Sequence, residues 1–242
     1  MPITRAAALL RLTDLYERAV GQAYQLGDDR PIGIYANIDE LPPVKGDRTA
    51  LVALGLAAGG ETLTPGQAAA LERLWTQTEA VLAQRTKTNS TRVLLAAYRL
   101  VPAAYPLIFG QPELADLILE GLGGSTPVQG EGSLSGRPWY FRARGTYWRF
   151  SLAHPGEDPV AVGWSEGGVA GAFAESAYAC SEADCDHEFC AGWMPLLQSM
   201  RRLTAGAEAV LGLPISDPEL AREIIVRRFE PAGPDSIVET TA

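Results

Sequence analysis

The sequence is short of cysteine, histidine and positive charge, and each shortage limits what the protein can be. Its 242 residues include three cysteines and two histidines, and 20 Lys or Arg residues stand against 29 Asp or Glu residues. An odd number of cysteines does not suit a framework of disulfides. A net charge of −9 argues against nucleic-acid binding by the whole chain, because lasting contact with phosphates needs a basic surface.

Long apolar runs are also missing. The most apolar stretch, residues 93–109, is too short to span a bilayer comfortably and contains Arg99, Pro102 and Pro106. Residues 4–26 mix charged and apolar side chains, whereas a secretory signal needs an uninterrupted apolar core. We therefore expect no membrane span and a location in the cytoplasm, in a bacterial or phage context.

The residues that are present can form a globular core, since 47% are hydrophobic and 20% are charged. Apolar residues at helical spacing predict helices over residues 4–26 and 90–109. The clearest helix start is at Thr64, which can cap a helix with Pro65 at its first position and Gln67 as the partner in a capping box. These signals predict a mainly helical first half.

Two alternating runs around Gly145 predict a β-hairpin. In residues 139–144 and 147–152, the apolar side chains fall on one face and the polar or basic side chains on the other. The apolar set is Trp139, Phe141, Trp148, Phe150 and Leu152, and the polar set is Tyr140, Arg142, Arg144, Tyr147 and Arg149.

After the hairpin the local signals are weaker. Residues 159–164 are predicted to form a third strand. Asp217, followed by Pro218, is predicted to cap a last helix.

Composition divides the chain into four regions. Residues 1–122 are predicted to be a helical region, and residues 123–137, rich in Gly, Ser and Pro, an exposed linker. Residues 138–230 hold the hairpin and helices, and residues 231–242 form an irregular tail. The predicted fold class is α+β, with a mainly helical N-terminal half. The C-terminal half is expected to contain a small antiparallel hairpin or sheet with flanking helices.

All three cysteines and one histidine fall between positions 180 and 190. Thiolates and imidazole are the ligands that zinc prefers, so Cys180, Cys185, His187 and Cys190 form a candidate structural zinc site. The spacing is unusual, because Cys185 and His187 are only two residues apart. They can bind one metal ion only where the backbone is not helical.

Other interpretations of this cluster remain open. Ser181 could cap a helix with Asp184 as its partner, which would turn His187 away from Cys185. The cysteines would then be small packing residues. A disulfide or redox pair and a nucleophilic cysteine are further alternatives, although the acidic neighbours would raise the pKa of a thiol.

Arginine and aromatic residues alternate in the predicted hairpin. Surfaces of this type hold single-stranded nucleic acid, with cations on the phosphates and rings on the bases. Arg142, Arg144 and Arg149 are therefore candidates for a local contact with nucleic acid. The polar outer face of an amphipathic hairpin explains the same pattern, and an acidic surface on another protein subunit would suit these arginines equally well.

No motif in the sequence specifies a catalytic class. The glycine-rich segment lacks the Gly-Lys-Ser/Thr ending of a phosphate-binding loop. We therefore expect a non-enzymatic subunit that acts by protein–protein association in a larger assembly, as an adaptor or a virion-type structural component, with a small structural zinc site. The alternative is a metal- or cysteine-dependent enzyme or regulator built around residues 180–190, so enzymatic activity remains an open question.

Overall fold

The described part of the chain contains four α-helices and one six-stranded sheet. The computed structural model describes residues 2–25, 61–84, 90–123, 127–163, 168–178, 190–194 and 196–230. The helices are α1 (Arg5–Gln25), α2 (Pro65–Ala83), α3 (Ser90–Phe109) and α4 (Leu196–Leu211). The strands are β1 (Leu117–Gly123), β2 (Val128–Leu134), β3 (Arg137–Arg144), β4 (Tyr147–Ala153), β5 (Gly171–Ala177) and β6 (Ile225–Phe229). The α+β fold class is confirmed.

The chain forms two compact units, Met1–Ala115 and Asp116–Ala242. Residues 123–137, the expected linker, belong to the second unit and include β2, which pairs with a strand on each side. The boundary therefore lies before the glycine-rich stretch rather than within it. The expected tail, residues 231–242, lies outside the described residues.

The first unit holds α1, α2 and α3, and α2 begins at the predicted cap. The backbone N–H of Gln67 donates to the Thr64 hydroxyl oxygen over 3.3 Å, and the Gln67 side-chain oxygen accepts from the Thr64 N–H over 3.1 Å. The amide nitrogen of the buried Gln67 side chain also donates to the carbonyl of Gly110, just after α3, over 3.1 Å. One polar residue thus fixes the start of α2 against the end of α3.

The second unit is built on a sheet in which the strands lie side by side in chain order. All the pairings are antiparallel. The predicted hairpin is formed by β3 and β4, with Trp139 opposite Leu152 and Phe141 opposite Phe150. Its predicted apolar face is buried, including Trp148, so this prediction is confirmed.

The glycines of β2 make room for an aromatic ring. The indole of Trp139 lies across β2, and its Nε1 donates to the carbonyl of Ile118 on β1 over 3.1 Å. A Cβ atom at Gly132 would lie 2.9 Å from the Trp139 ring, and one at Gly130 would lie 2.8 Å from a side-chain carbon of Leu122 on β1. Glycines that indicated a linker are therefore needed for packing inside the sheet.

The two faces of the sheet are covered differently. Helix α4 packs on one face, called here the inner face, and a Cβ atom at Gly206 would lie only 2.6 Å from the Cβ of Phe150. The helix backbone therefore comes directly onto β4. The opposite, outer face carries a small apolar cluster at one end, formed by Ala153, Val162, Val169, Phe173 and Phe229.

The predicted third strand at residues 159–164 is wrong. Pro159–Ala161 is a 3₁₀ turn instead, and the side chain of Asp158 caps it by accepting from the backbone N–H of Val160 over 2.9 Å. The capping aspartate and the proline after it favour the start of a helical turn over a strand.

The predicted last helix is also wrong. Asp217 does accept from the backbone N–H of Leu220 over 3.3 Å, but only the short 3₁₀ turn Leu220–Arg222 follows it. The chain then enters β6, which pairs with β5. Pairing with a strand already in the sheet thus determines the structure of this segment, against its local helical signal.

Candidate functional site

The candidate site lies on the outer face, between the apolar cluster and the turn that joins β3 to β4. Arg142 on β3 is directly opposite Arg149 on β4, and Arg144 is opposite Tyr147. We call these four residues the arginine ledge. The strand alternation places all four on the face opposite Trp139 and Phe150, as the sequence predicts.

Arg149 is held within the sheet by contacts on two sides. Its guanidinium donates to Glu175 on β5, with a shortest nitrogen–oxygen distance of 2.8 Å, and lies 3.9 Å over the ring centre of Phe173. Arg227 on β6 approaches the same carboxylate at 3.7 Å. Glu175 therefore compensates the charge of Arg149, and this arginine has a structural role.

Arg142 and Arg144 are different, because neither forms an ion pair with any residue that the structure describes. Arg144 is exposed, whereas Arg142 is partly buried and its Nε has no hydrogen-bond partner there. On the side away from Arg149, Arg142 is opposite the neutral Gln129 of β2. Two arginines without an ion-pair partner in the described part of the chain thus lie next to the Arg149–Glu175 pair.

The phenol of Tyr140, on the same face as the ledge, is electrostatically linked to Arg142. Burial raises the pKa of Tyr140, and the carboxylates of Glu131 and Asp158 raise it further, while the positive charge of Arg142 acts in the opposite direction. The Tyr140 phenol therefore stays protonated at neutral pH and can donate a hydrogen bond.

The cysteine–histidine cluster lies mostly outside the described residues. This holds for Cys180, Cys185 and His187, while Cys190 begins the 3₁₀ turn Cys190–Trp193. Among the residues that are described, no group of three or more His, Cys, Asp or Glu side chains could hold a metal ion. The zinc site formed by these four residues stays a prediction.

The chain on either side of this cluster is anchored at one turn. The backbone N–H of Tyr178 donates to the carbonyl of Thr146 over 2.8 Å, and that of Ala191 donates to the carbonyl of Gly145 over 2.9 Å. Gly145 and Thr146 form the turn between β3 and β4, next to the arginine ledge. Residues 178 and 191 therefore lie close together although the sequence separates them.

Two carboxylates in the second unit were not singled out from the sequence. Glu175 compensates Arg149, and the fully buried Glu208 of α4 accepts from the N–H and hydroxyl of Ser216 over 2.8 and 2.6 Å. Alternation along β5 could have placed Glu175 on the outer face, had that segment been recognised as a strand. The partner of Glu208 depends on the loop after α4, for which the sequence offers no signal.

The chain matches no protein-family model, no curated protein and no solved structure. Among the described helices, none has the length and apolar character needed to cross a membrane. Functional inference therefore depends on the chemistry of the residues themselves.

Proposed function

We propose that this chain is a non-enzymatic subunit that acts by protein–protein association in a larger assembly, as an adaptor or a virion-type structural component of the cytoplasm. The observation that carries the proposal is the arginine ledge. It combines two arginines that have no ion-pair partner among the described residues with Tyr147, which is 49% exposed. Arginine and tyrosine are enriched at protein interfaces and among the residues that contribute most to binding.

The position of the ledge supports an interface. Its side chains project from two central strands of a six-stranded sheet, and Arg149 is fixed by Glu175 and Phe173. A preorganised surface loses less conformational entropy on binding than a flexible one. The ledge therefore has the residue types of a binding surface, on strands in the middle of the sheet.

The test is the native mass of the protein, isolated under mild conditions from the cells that make it. Size-exclusion chromatography with light scattering should give a mass well above the 25.8 kDa of one chain. A mass of one chain at every concentration, both from native cells and after recombinant expression, would contradict the proposal.

The zinc site is proposed as a structural part of this subunit. The anchoring of residues 178 and 191 at one turn supports it, because the segment that carries Cys180, Cys185 and His187 starts and ends at nearly the same place. Four protein ligands would leave no open position for water or substrate, so such a site would stabilise the fold.

Metal analysis tests the zinc site and also addresses the alternative of a metal-dependent enzyme or regulator. We expect one zinc ion per chain, lost in Cys185→Ser and retained in the control Ser181→Ala, with a lower unfolding temperature in the first variant. Purified protein without stoichiometric zinc would show that the cysteines are packing or redox residues. Zinc that exchanges readily and has an open position would instead favour the enzyme.

A further inference from the structure

We infer that the arginine ledge binds an extended acidic segment of a partner protein, with carboxylates on Arg142 and Arg144 and an apolar side chain on Tyr147. The inference rests on the proposed function, because it names the chemistry of the partner that such a subunit holds.

Two arginines of the ledge lie directly opposite each other on neighbouring strands, and the fold does not need this arrangement of like charges. Arg142 and Arg149 are direct cross-strand partners, and like charges in that position destabilise a sheet. Arg149 is compensated by Glu175, whereas Arg142 faces Gln129 and leaves its Nε without a partner among the described residues. Violations of local rules are concentrated at functional sites, and a bound anion would relieve this one.

Spacing defines the ligand further. Arg142 and Arg144 are two residues apart on one strand, so their Cα atoms are about 7 Å apart along it. Acidic residues at alternate positions of an extended segment repeat at the same distance. Arginine binds carboxylates through paired, charge-assisted hydrogen bonds, so two such contacts fit an acid–x–acid pattern.

A protein suits this surface better than nucleic acid. The chain carries a net charge of −9, and a nucleic acid, with a charge at every nucleotide, is repelled more strongly at long range than a segment with two carboxylates. Arg149 and Arg227 already pair with Glu175, so on the described outer face only Arg142 and Arg144 lack a carboxylate partner. Two cations are enough for two carboxylates, whereas nucleic-acid affinity grows with the number of phosphates neutralised.

The experiment measures binding of short labelled peptides to the full chain by fluorescence anisotropy. The probe peptide alternates glutamate and valine, and the matched peptide has glutamine in place of every glutamate. We expect the probe to bind the native chain and the glutamine peptide to bind at least about tenfold more weakly. Equal binding of both peptides would overturn the inference.

Variants then locate the contact. The double substitution Arg142→Glu and Arg144→Glu should lower the affinity for the probe peptide by at least about tenfold. Arg73 is an exposed arginine of α2, and Arg73→Glu should change this affinity little. Arg144→Gln provides a milder variant if the double substitution lowers the unfolding temperature. Loss of affinity in Arg73→Glu as large as in the ledge variants would show only a general charge effect and overturn the inference.

Two further binding measurements test whether nucleic acid or a segment of this chain occupies the ledge instead. A single-stranded oligonucleotide that binds in a ledge-dependent way, while the probe does not, would identify a nucleic-acid surface and overturn the inference. The chain also has its own alternating acidic residues at Glu182, Asp184, Asp186 and Glu188. If the probe binds only after each Glu of this set is changed to Gln and each Asp to Asn, the acidic segment that binds the ledge is part of this chain, and a separate partner is ruled out.

Failure of the inference and failure of the proposed function are distinguishable. If the native complex persists in the Arg142→Glu, Arg144→Glu variant, the protein does associate with others, but the ledge is not the surface that it uses. If the chain is a monomer in native cells yet binds the probe through the ledge, the proposed role in an assembly is wrong, and the inferred binding of an acidic segment is supported.

Discussion

At the scale of single residues, the indole of Trp139 determines which side chains its neighbours can have. The ring crosses β2 to donate to the carbonyl of Ile118, so position 132 beneath it must be small. Glycine weakens an isolated strand because it has no side chain to pack. In this sheet Trp139 of β3 supplies the packing, because its ring covers the glycines of the neighbouring strand β2.

Replacement of Gly132 tests this dependence. A Cβ atom there would overlap the carbonyl oxygen of Ile118 and lie 2.9 Å from the Trp139 ring, so Gly132→Ala should lower the free energy of unfolding by about 1–3 kcal/mol. Gly121→Ala is the control, because nothing lies within 4 Å of its added Cβ. Chemical denaturation of both variants gives the comparison, and equal stability would mean that the strands do not approach this closely.

The pKa of Tyr140 predicts how stability changes at alkaline pH. Burial of the phenol raises its pKa above the ordinary value of 10.0. Because the raised value belongs to the folded chain, the stabilisation is complete below about pH 10 and is lost as the pH rises through the pKa of the folded state. Native protein should therefore lose more stability than Tyr140→Phe over this alkaline range, as measured by urea denaturation.

Arg142 acts on the same group and gives a spectroscopic readout of the ledge. Its positive charge lowers the pKa of Tyr140, so Arg142→Gln should move the phenol titration to higher pH. The phenolate absorbance of each protein, minus that of its Tyr140→Phe counterpart, isolates this one residue among eight tyrosines. An unchanged titration would show that the arginine and the phenol are not close in solution.

At the scale of elements, the contact between α4 and the sheet depends on the close approach of two backbones. Gly206→Ala should destabilise the protein by about 1–3 kcal/mol, because the added Cβ would lie 2.6 Å from the Cβ of Phe150 and 3.2 Å from the Trp148 ring. Alanine is favoured over glycine in a helix by about 1 kcal/mol, and the expected net loss already includes this gain.

The matched control for this contact is Gly66→Ala in α2. Its added Cβ meets only Ala115, at an ordinary 3.8 Å, so the variant should be neutral or more stable. Thermal unfolding followed by circular dichroism measures both variants. A stabilised Gly206→Ala variant would show that α4 can move away from β4 at little cost.

The sequence predicts those elements whose local pattern agrees with their final environment. The capping box at Thr64 and the alternation in β3 and β4 belong to this group, and the structure confirms both. Prediction failed where a distant partner decides. The structure of β6 depends on its pairing with β5, and the glycine at position 132 of β2 is required by the indole of Trp139 on β3.

The candidate site was likewise predicted only in part from the sequence. Alternation placed Arg142, Arg144 and Arg149 on one face, which the register confirms. It could not distinguish Arg149, which Glu175 compensates, from Arg142, which has no ion-pair partner among the described residues, because Glu175 comes from a strand whose sequence also fits a helix. Cys180, Cys185 and His187 lie outside the described residues, so the zinc prediction still depends on the sequence.

At the scale of the whole molecule, the division at Ala115 predicts two units that fold separately. Residues 1–115 and residues 116–242, expressed as separate proteins, should each unfold in a single cooperative transition, because compact units with their own cores can fold alone. Circular dichroism against temperature measures this. Cutting instead within the glycine-rich stretch, after Gly124, should leave the second fragment without β1 and without a cooperative transition.

The order of the strands in the sheet also has a consequence for synthesis on the ribosome. Each strand from β2 to β5 meets a partner that has already left the exit tunnel, so pairing can keep pace with translation. The sixth strand is delayed, because Ile225 must return to Glu175 after α4 has emerged. Until then the edge of β5 and the ring of Phe173, later stacked on Phe229, are exposed to solvent, and the nascent chain is open to wrong pairing in that interval.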